Sequence, residues 1–184
     1  MKELSLNILD ITENSTKAQA EFVTIKIMED DETLRIIIGD NGTGMTEDTL
    51  LSVANPFYTT RTTRKVGMGI PLFRMAAEMT GGELTIMSKH IDEHPQNHGT
   101  TVSALFYKNH IDFTPLGDLI STLTTLIQGH PDVDFLFNHV IGNNVVSLDT
   151  RELRAVLDGV PLDTFEVLVW IKDNLTEQYT EIKK

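Results

Sequence analysis

Residues 34–44 read LRIIIGDNGTG, a mostly apolar run that ends in a glycine-rich loop. Apart from Arg35, residues 34–38 are apolar, which predicts a strand near the centre of a sheet. Asp40 follows at the end of this strand, and Gly42 and Gly44 let the backbone turn and approach a ligand closely. A carboxylate here can accept a hydrogen bond from the exocyclic amine of a base, while a flat ring lies against the glycine backbone. The alternative is a simple hairpin turn.

A helix with a polar stripe precedes this strand. Apolar residues recur at helical spacing between residues 4 and 11 and predict a helix from residue 4 to about residue 18. Asp10 and Asn14 share its polar face, and Lys17 follows one turn later. A carboxylate, an amide oxygen and an ammonium in a row suit a hydrated Mg²⁺ that carries phosphates. The alternative is an ordinary solvated helix face.

A third candidate segment is Gly67-Met68-Gly69-Ile70-Pro71, which we expect just before or at the start of a helix that ends at Gly81-Gly82. Free N–H groups and the helix dipole at such a terminus attract phosphate. The preceding residues include Arg61, Arg64 and Lys65, a basic group within an acidic chain. The alternative is a mobile surface loop.

The composition limits the classes of partner. The chain has 184 residues, a formal net charge of −12 and no cysteine. The negative charge argues against nucleic acid or an anionic membrane surface as the main partner. Disulfides and thiolate metal sites are excluded, and no apolar run approaches the length of a membrane span. No signal-peptide core is found either, so we expect a cytoplasmic protein.

Other common nucleotide and metal motifs do not fit. The glycines lack the register of a dinucleotide-binding loop, and no Gly-Lys-Ser/Thr sequence is present for a phosphate loop. A calcium loop starting at Asp40 would need side-chain ligands at Gly42, Gly44 and Leu51, which cannot supply them. His90, His94 and His98 are four apart, but Pro95 interrupts any helix, so we interpret residues 90–98 as a polar loop.

Five segments together resemble the motifs of the GHKL ATPase superfamily, which includes gyrase, heat-shock chaperone, histidine kinase and MutL-type ATP-binding domains. They are Asp10-Ile11-Thr12-Glu13-Asn14-Ser15, Asp40-Asn41-Gly42-Thr43-Gly44-Met45, Asn55-Pro56-Phe57-Tyr58-Thr59-Thr60, Gly67-Met68-Gly69-Ile70-Pro71-Leu72 and His98-Gly99-Thr100-Thr101-Val102. They occur in order, each in a suitable secondary-structure context. The third segment is most similar to sensor histidine kinases. The resemblance implies an α/β (α+β) two-layer sandwich, with a mixed sheet covered by helices, that binds ATP and Mg²⁺ beneath a lid.

The resemblance also implies roles for single residues. Asn14 would be the Mg²⁺ ligand, and Asp40 would hold the adenine amine with help from Thr100. Asp10 occupies the position of the usual catalytic Glu. The full set expected at the nucleotide is Asn14, Lys17, Asp40, Gly42, Gly44, Met45, Thr60, Arg61, Arg64, Lys65, Gly67, Met68, Gly69 and Thr100. Within it, Gly67 and Gly69 would meet the phosphates, and Arg61, Arg64 and Lys65 are lid candidates.

Two departures from the family pattern leave the reaction open. Asp10 is one methylene shorter than the usual Glu, which counts against fast hydrolysis, and Glu13 points about 100° away from Asn14 around the helix. Only nine residues precede Asp10 in this sequence, so we expect no helical hairpin with a phospho-accepting His. One hypothesis is a kinase-like or ATPase subunit that acts on a protein partner or phospho-acceptor in trans. The other is a non-catalytic module whose lid closure controls partner association.

The last part of the chain carries no family motif that we can name, and we expect a domain boundary near residues 108–114. Residues 1–108 would form the ATP-binding domain, and residues 109–184 a small α+β domain of unknown role. Thr114-Pro115 predicts the start of a helix with an apolar face, and residues 133–140 and 145–148 predict a hairpin. Two segments with capping-box spacing, at Asp149 and Asp163, predict two final helices. This domain could dock a partner or a second copy, as in a homodimer.

Overall fold

The computed structural model of the chain describes residues 3–54 and 69–182. The helices are α1 (Leu4–Lys17), α2 (Glu47–Ala54), α3 (Gly69–Met79), α4 (Leu119–Gly129), α5 (Thr150–Leu157) and α6 (Phe165–Ile182). The strands are β1 (Phe22–Glu29), β2 (Thr33–Asp40), β3 (Glu83–Lys89), β4 (Gly99–Tyr107), β5 (Asp134–Ile141) and β6 (Asn144–Asp149). None of the described helices is both long enough and apolar enough to cross a membrane.

The strands form one mixed six-stranded sheet in the order β3-β4-β2-β1-β5-β6. Every pairing is antiparallel except that of β1 with β5, which is parallel. Alternate residues such as Ile25, Ile36 and Phe137 are buried on one face, because side chains of a strand alternate between the two faces. The apolar sides of α1, α3, α4 and α6 contribute to the same core. The predicted α/β two-layer fold with a mixed sheet is therefore confirmed.

The strand register brings the predicted site residues to one end of the sheet. Asp40 at the end of β2 pairs with Val23 at the start of β1 and with Thr100 at the start of β4. The other end of β1, at Glu29, pairs with Leu34. Helix α1 ends beside the same site, since the N–H of Thr43 donates to the carbonyl of Ala18 at 2.8 Å.

The helix predicted to start at Thr114-Pro115 begins later, at Leu119. Asp118 is its N-cap and accepts a hydrogen bond from the Ser121 N–H. The carbonyls of Pro115 and Leu116 instead accept from the N–H groups of Leu4 and Ser5, at 2.9 and 2.8 Å. Residues 114–117 thus satisfy the free N–H groups at the start of α1, which a helical conformation there would not allow.

The segment after residue 108 continues the same sheet. The predicted hairpin is present as β5 and β6, and β5 pairs with β1 along its full length. Phe135, Phe137 and Leu123 belong to the same buried cluster as Ile25 and Ile8. Independent folding of residues 1–108 and 109–184 stays a prediction of the sequence, and the shared sheet and core argue against it.

Candidate functional site

Asp40 is held by three hydrogen bonds from three different elements. Its Oδ1 accepts from the N–H of Gly42 at 3.0 Å and of Thr100 at 3.2 Å. Its Oδ2 accepts from the hydroxyl of Ser15, on α1, at 2.6 Å. A carboxylate oxygen can accept two hydrogen bonds, so Oδ2 can accept a further donor. The carboxylate is therefore oriented and keeps acceptor capacity.

The loop after Asp40 requires glycine at two positions. Gly44 has φ +68°, and a Cβ there would lie 1.9 Å from the carbonyl oxygen of Lys89. A Cβ on Gly42 would lie 2.7 Å from the carbonyl oxygen of Ala18, at the end of α1. The loop thus lies in contact with the ends of α1 and β3, and its glycines permit that close packing.

Polar side chains from β3 and from the loop before β4 fix this glycine loop in place. The N–H of Met45 donates to the hydroxyl of Ser88 at 2.8 Å, and that hydroxyl lies 2.8 Å from the hydroxyl of Thr100. His98 Nδ1 lies 2.6 Å from the carbonyl oxygen of Gly42. Met45 and Thr100 are consequently tied to the segment that carries Asp40.

A cavity opens between α1, the glycine loop and the start of α3. Its described walls consist of Ile11, Asn14, Ser15, Ala18, Ile38, Asp40, Gly44, Met45, Ile70, Thr100 and Val102. Five of the predicted residues, Asn14, Asp40, Gly44, Met45 and Thr100, therefore line one space. Apolar side chains from the helices and strands complete it. The described residues enclose about 60 Å³, and their mostly apolar lining with a few polar groups resembles the lining of a ligand site.

Asp10 and Asn14 lie beside the first residue of α3. A Cβ on Gly69 would be 3.2 Å from Asp10 Cβ, 3.8 Å from Asp10 Oδ2 and 3.9 Å from Asn14 Nδ2. The absence of a side chain at Gly69 lets α3 begin against these two polar groups. The first N–H groups of an α-helix have no partner within the helix, so the start of α3 can bind an anion.

The donor set at this point fits Mg²⁺. Asn14 and Asp10 offer an amide oxygen and a carboxylate on one helix face, and Mg²⁺ prefers oxygen ligands. Within residues 3–54 and 69–182 no group of three or more His, Cys, Asp or Glu could hold a metal ion. In a nucleotide site, one or two protein ligands suffice for Mg²⁺, because phosphates and water supply the rest.

The other predicted residues are not brought together in this way. Lys17 is exposed in the last turn of α1, and it is absent from the described cavity wall. The carboxylate of Glu13 is engaged elsewhere, with Oε1 2.9 Å from Nε2 of His130, the residue after α4. The predicted residues Thr60, Arg61, Arg64, Lys65, Gly67 and Met68 lie outside the described residues.

Sequence reasoning did not assign a role to Ser15, Ser88 or His98. Ser15 is buried and lies four residues after Ile11 on the apolar side of α1. The signal that could have identified it is its hydroxyl, which follows the apolar residues Leu4, Ile8 and Ile11 on the same side of α1. A polar group buried at such a position is expected to have a hydrogen-bond partner. Ser88 and His98 carry no comparable signal, since both belong to segments with many polar residues.

Comparison with known proteins gives one family, one curated relative and two solved structures of similar fold. The family described as "Histidine kinase-, DNA gyrase B-, and HSP90-like ATPase" matches residues 1–110. Sporulation kinase E of Bacillus subtilis (strain 168) is 36% identical over 93 residues, which are 48% of this chain and 12% of that kinase. The chain thus matches only a small part of that relative's length.

The solved structures share the fold at low sequence identity. The N-terminal domain of a DNA repair protein has a TM-score of 0.54 at 18% identity, covering 81% of this chain and 53% of that one. The Aquifex aeolicus MutL ATPase domain complexed with ADP has a TM-score of 0.53 at 14% identity, covering 86% and 70%. Because the family model matches more than half of the sequence, the chain belongs to the histidine kinase-, DNA gyrase B- and HSP90-like ATPases.

Proposed function

We propose that the chain binds ATP with Mg²⁺ in the cavity between α1 and α3 and acts on a partner protein as a kinase-like or ATPase subunit. One observation carries this proposal: Asp40 and Asn14 line the same cavity, and Asn14 also lies beside the start of α3. One bound molecule could therefore contact the Asp40 carboxylate with its nucleobase and the oxygen atoms beside the start of α3 with its Mg²⁺-bound phosphates. The family match supports ATP as that ligand.

The adenine end is at Asp40. Its Oδ2, already oriented by Ser15, would accept a hydrogen bond from the 6-amino group of the base. A purine with a 6-oxo group would instead place a carbonyl oxygen against a carboxylate, which is unfavourable. Ile38, Met45 and Ile70 supply apolar surface for the ring. The proposed site therefore selects adenine over guanine.

The triphosphate end is at the start of α3. The free N–H groups at that helix terminus would bind phosphate oxygens, and the Asn14 amide oxygen would hold Mg²⁺, which when bound offsets the phosphate charge. Lys17, Arg61, Arg64, Lys65, Gly67 and Met68 remain proposed phosphate or lid contacts, and Thr60 a proposed lid contact. In hydrolysis, a water oxygen attacks the γ-phosphorus, the bond to the β–γ bridging oxygen breaks, and Asp10 accepts the proton of the water. The same carboxylate would accept the proton of a hydroxyl on a partner protein.

A second function, a nucleotide-controlled binding module, is favoured by the surroundings of Asp10. Its side chain is exposed, and it is one methylene shorter than the Glu that is usual at this position in the family. A shorter, exposed carboxylate holds the attacking water less closely, which predicts slow turnover.

Calorimetric titration with a non-hydrolysable ATP analogue tests the binding proposal. We expect the parent chain to bind more tightly with Mg²⁺ than without it, and Asn14→Ala to lose that Mg²⁺ dependence. The matched control is Asn109→Ala, an exposed asparagine after β4, which we expect to behave as the parent. An Asn14→Ala variant that keeps the full Mg²⁺ effect would contradict the proposed metal position.

Radiolabelled ATP, incubated with the protein and its co-purifying partners, separates the two functions. Transfer to a partner or release of phosphate, absent in Asp10→Asn, supports the enzyme. Nucleotide-dependent partner association without either reaction supports the binding module. The absence of nucleotide binding would exclude both.

A further inference from the structure

A second cavity of about 330 Å³ lies at the opposite end of the sheet from Asp40. It is lined by residues 116–120, at the start of α4, and by His139, Thr176, Tyr179 and Thr180. The strand register places it there, because His139 pairs with Ile27, near the Glu29 end of β1. Its volume is in the range of small-molecule sites, which begin at about 300 Å³.

A chain of hydrogen bonds leads from the end of β1 to the cavity. Lys108 Nζ lies 2.7 Å from Glu29 Oε1, and Glu29 Oε2 lies 3.2 Å from His139 Nε2. His139 Nδ1 lies 2.8 Å from the hydroxyl of Tyr179. The imidazole is buried, with 2% of the residue exposed.

The charge of the His139 imidazole determines which atom donates and which accepts in each of these hydrogen bonds. Burial lowers the pKa of His139 despite the opposing effect of Glu29, so the ring is neutral at pH 7. Its single proton belongs on Nε2, which faces the Glu29 carboxylate, and Nδ1 is then an acceptor. Tyr179 must donate its hydroxyl proton to Nδ1, and burial raises the pKa of Tyr179, so that proton is retained. The Tyr179 oxygen therefore offers only lone pairs to the cavity.

The remaining polar side chains of the wall are also acceptors. The hydroxyl of Thr176 donates to the carbonyl of Lys172, and that of Thr180 donates to the carbonyl of Thr176, both at 2.7 Å. Asp118 accepts from Ser121, which holds the pKa of its carboxyl below the usual value. Among the described residues Asp118 has no ion-pair partner, although Lys172 is near enough to contribute to that lowering.

We propose that this cavity binds a primary ammonium group on a short aliphatic chain. Tyr179, Thr176, Thr180 and Asp118 offer acceptors that only a donor-rich group can use, and the negative charge of Asp118 favours a cation. The apolar side chains within residues 116–120 provide surface for the methylene groups. This chemistry occurs both in a free aliphatic diamine and in a lysine side chain of a partner protein.

The test follows the ring signals of His139 by NMR in the 184-residue chain labelled at histidine, with the signal assigned through a His139→Gln variant. The two probes are 1,4-diaminobutane and Nα-acetyl-lysine N-methylamide. A saturable shift of the His139 signal with either probe supports the site, and the probe that binds more tightly identifies the source of the ammonium group. No saturable shift with either probe overturns the proposal.

Two further ligands examine the polarity of the cavity. Tetramethylammonium carries the charge but no N–H donor, and we expect no saturable shift from it. Acetate probes anion binding at the start of α4, and again we expect none. Equal binding of tetramethylammonium and the diamine, or saturable binding of acetate alone, would overturn the assignment of an acceptor-lined site.

Variants of the residues that line the cavity test whether these residues cause the NMR shift of His139. Asp118→Asn removes the charge and keeps the shape, and we expect it to weaken binding of the diamine about tenfold. Tyr179→Phe removes one acceptor and should weaken it as well. The matched controls are Asp112→Asn and Tyr107→Phe, which alter exposed residues outside the cavity. Undiminished binding in both Asp118→Asn and Tyr179→Phe would overturn the proposal, while thermal melting verifies that each variant is folded.

Discussion

Replacement of Asp40 by Asn changes the proposed adenine contact and little else. The two N–H groups of Gly42 and Thr100 can still donate to the remaining oxygen of the new amide. The amide nitrogen then occupies the place of Oδ2, and the hydroxyl of Ser15 can turn to accept from it, since a hydroxyl both donates and accepts. We therefore expect the variant to fold.

The loss of affinity can be worked out from this geometry. The parent carboxylate would receive a charge-assisted hydrogen bond from the 6-amino group, and such bonds contribute about 1.5–3 kcal/mol. In the variant an N–H group faces an N–H group, so the whole contribution is lost. This corresponds to a rise in the dissociation constant of about 10- to 150-fold for an adenine nucleotide. A guanine nucleotide, whose 6-oxo group can accept from the new amide, should bind relatively better.

Calorimetric titration of non-hydrolysable ATP and GTP analogues measures both effects. Asp31→Asn, in the exposed turn between β1 and β2, is the matched control and should leave binding unchanged. Thermal melting verifies that the Asp40→Asn variant is folded. If Asp40→Asn bound the ATP analogue as tightly as the parent, with the same preference over the GTP analogue, the assignment of Asp40 to adenine would be refuted.

Three further predictions concern stability. Gly44→Ala should destabilise the fold by about 2 kcal/mol or more, because of its positive φ and the Lys89 carbonyl 1.9 Å from the added Cβ; Gly129→Ala, with no neighbour within 4 Å, is the control in thermal melts. The free energy of unfolding should fall as the pH drops below about 6.5, because burial lowers the pKa of His139 and the unfolded state then binds a proton that the folded state does not. Urea titrations should show a smaller decrease in the free energy of unfolding at acid pH for His139→Gln than for the parent. An equal decrease in both would contradict this cause. Residues 1–108 alone should not fold, because β1 loses its β5 partner; a cooperative melt of that fragment, seen by circular dichroism, would show an independent domain instead.

Local elements of the fold could be predicted from the sequence because their signals are periodic. The apolar spacing in α1 and the alternation in β1 identified both elements to within a residue or two, and the hairpin of β5 and β6 followed from its turn residues. The parallel pairing of β1 with β5 could not be predicted, since it joins segments more than a hundred residues apart and neither strand encodes its neighbour. The later start of α4 could not be predicted either, because it depends on hydrogen bonds from the N–H groups of Leu4 and Ser5 to the carbonyls of residues 115 and 116.

In the candidate site too, some residues could be predicted from the sequence, whereas contacts between distant residues could not. Asp40, Asn14 and Thr100 were expected together on a family resemblance, and they line one cavity. The contact between Ser15 and Asp40 spans 25 positions, and the chain from Glu29 to Tyr179 spans far more. Such side-chain pairs leave no pattern in a single sequence, because each partner alone resembles an ordinary polar residue.

The place of β5 beside β1 has a consequence for synthesis on the ribosome. A nascent chain that has emerged as far as β4 has all the strands of the family-matched segment, yet one long edge of β1 still lacks its hydrogen-bonding neighbour. That edge stays open until the ribosome has added the remainder of the chain through β5, and open apolar edges attract other chains. We therefore expect the nascent chain to be most prone to associate with other chains before β5 is complete at Ile141.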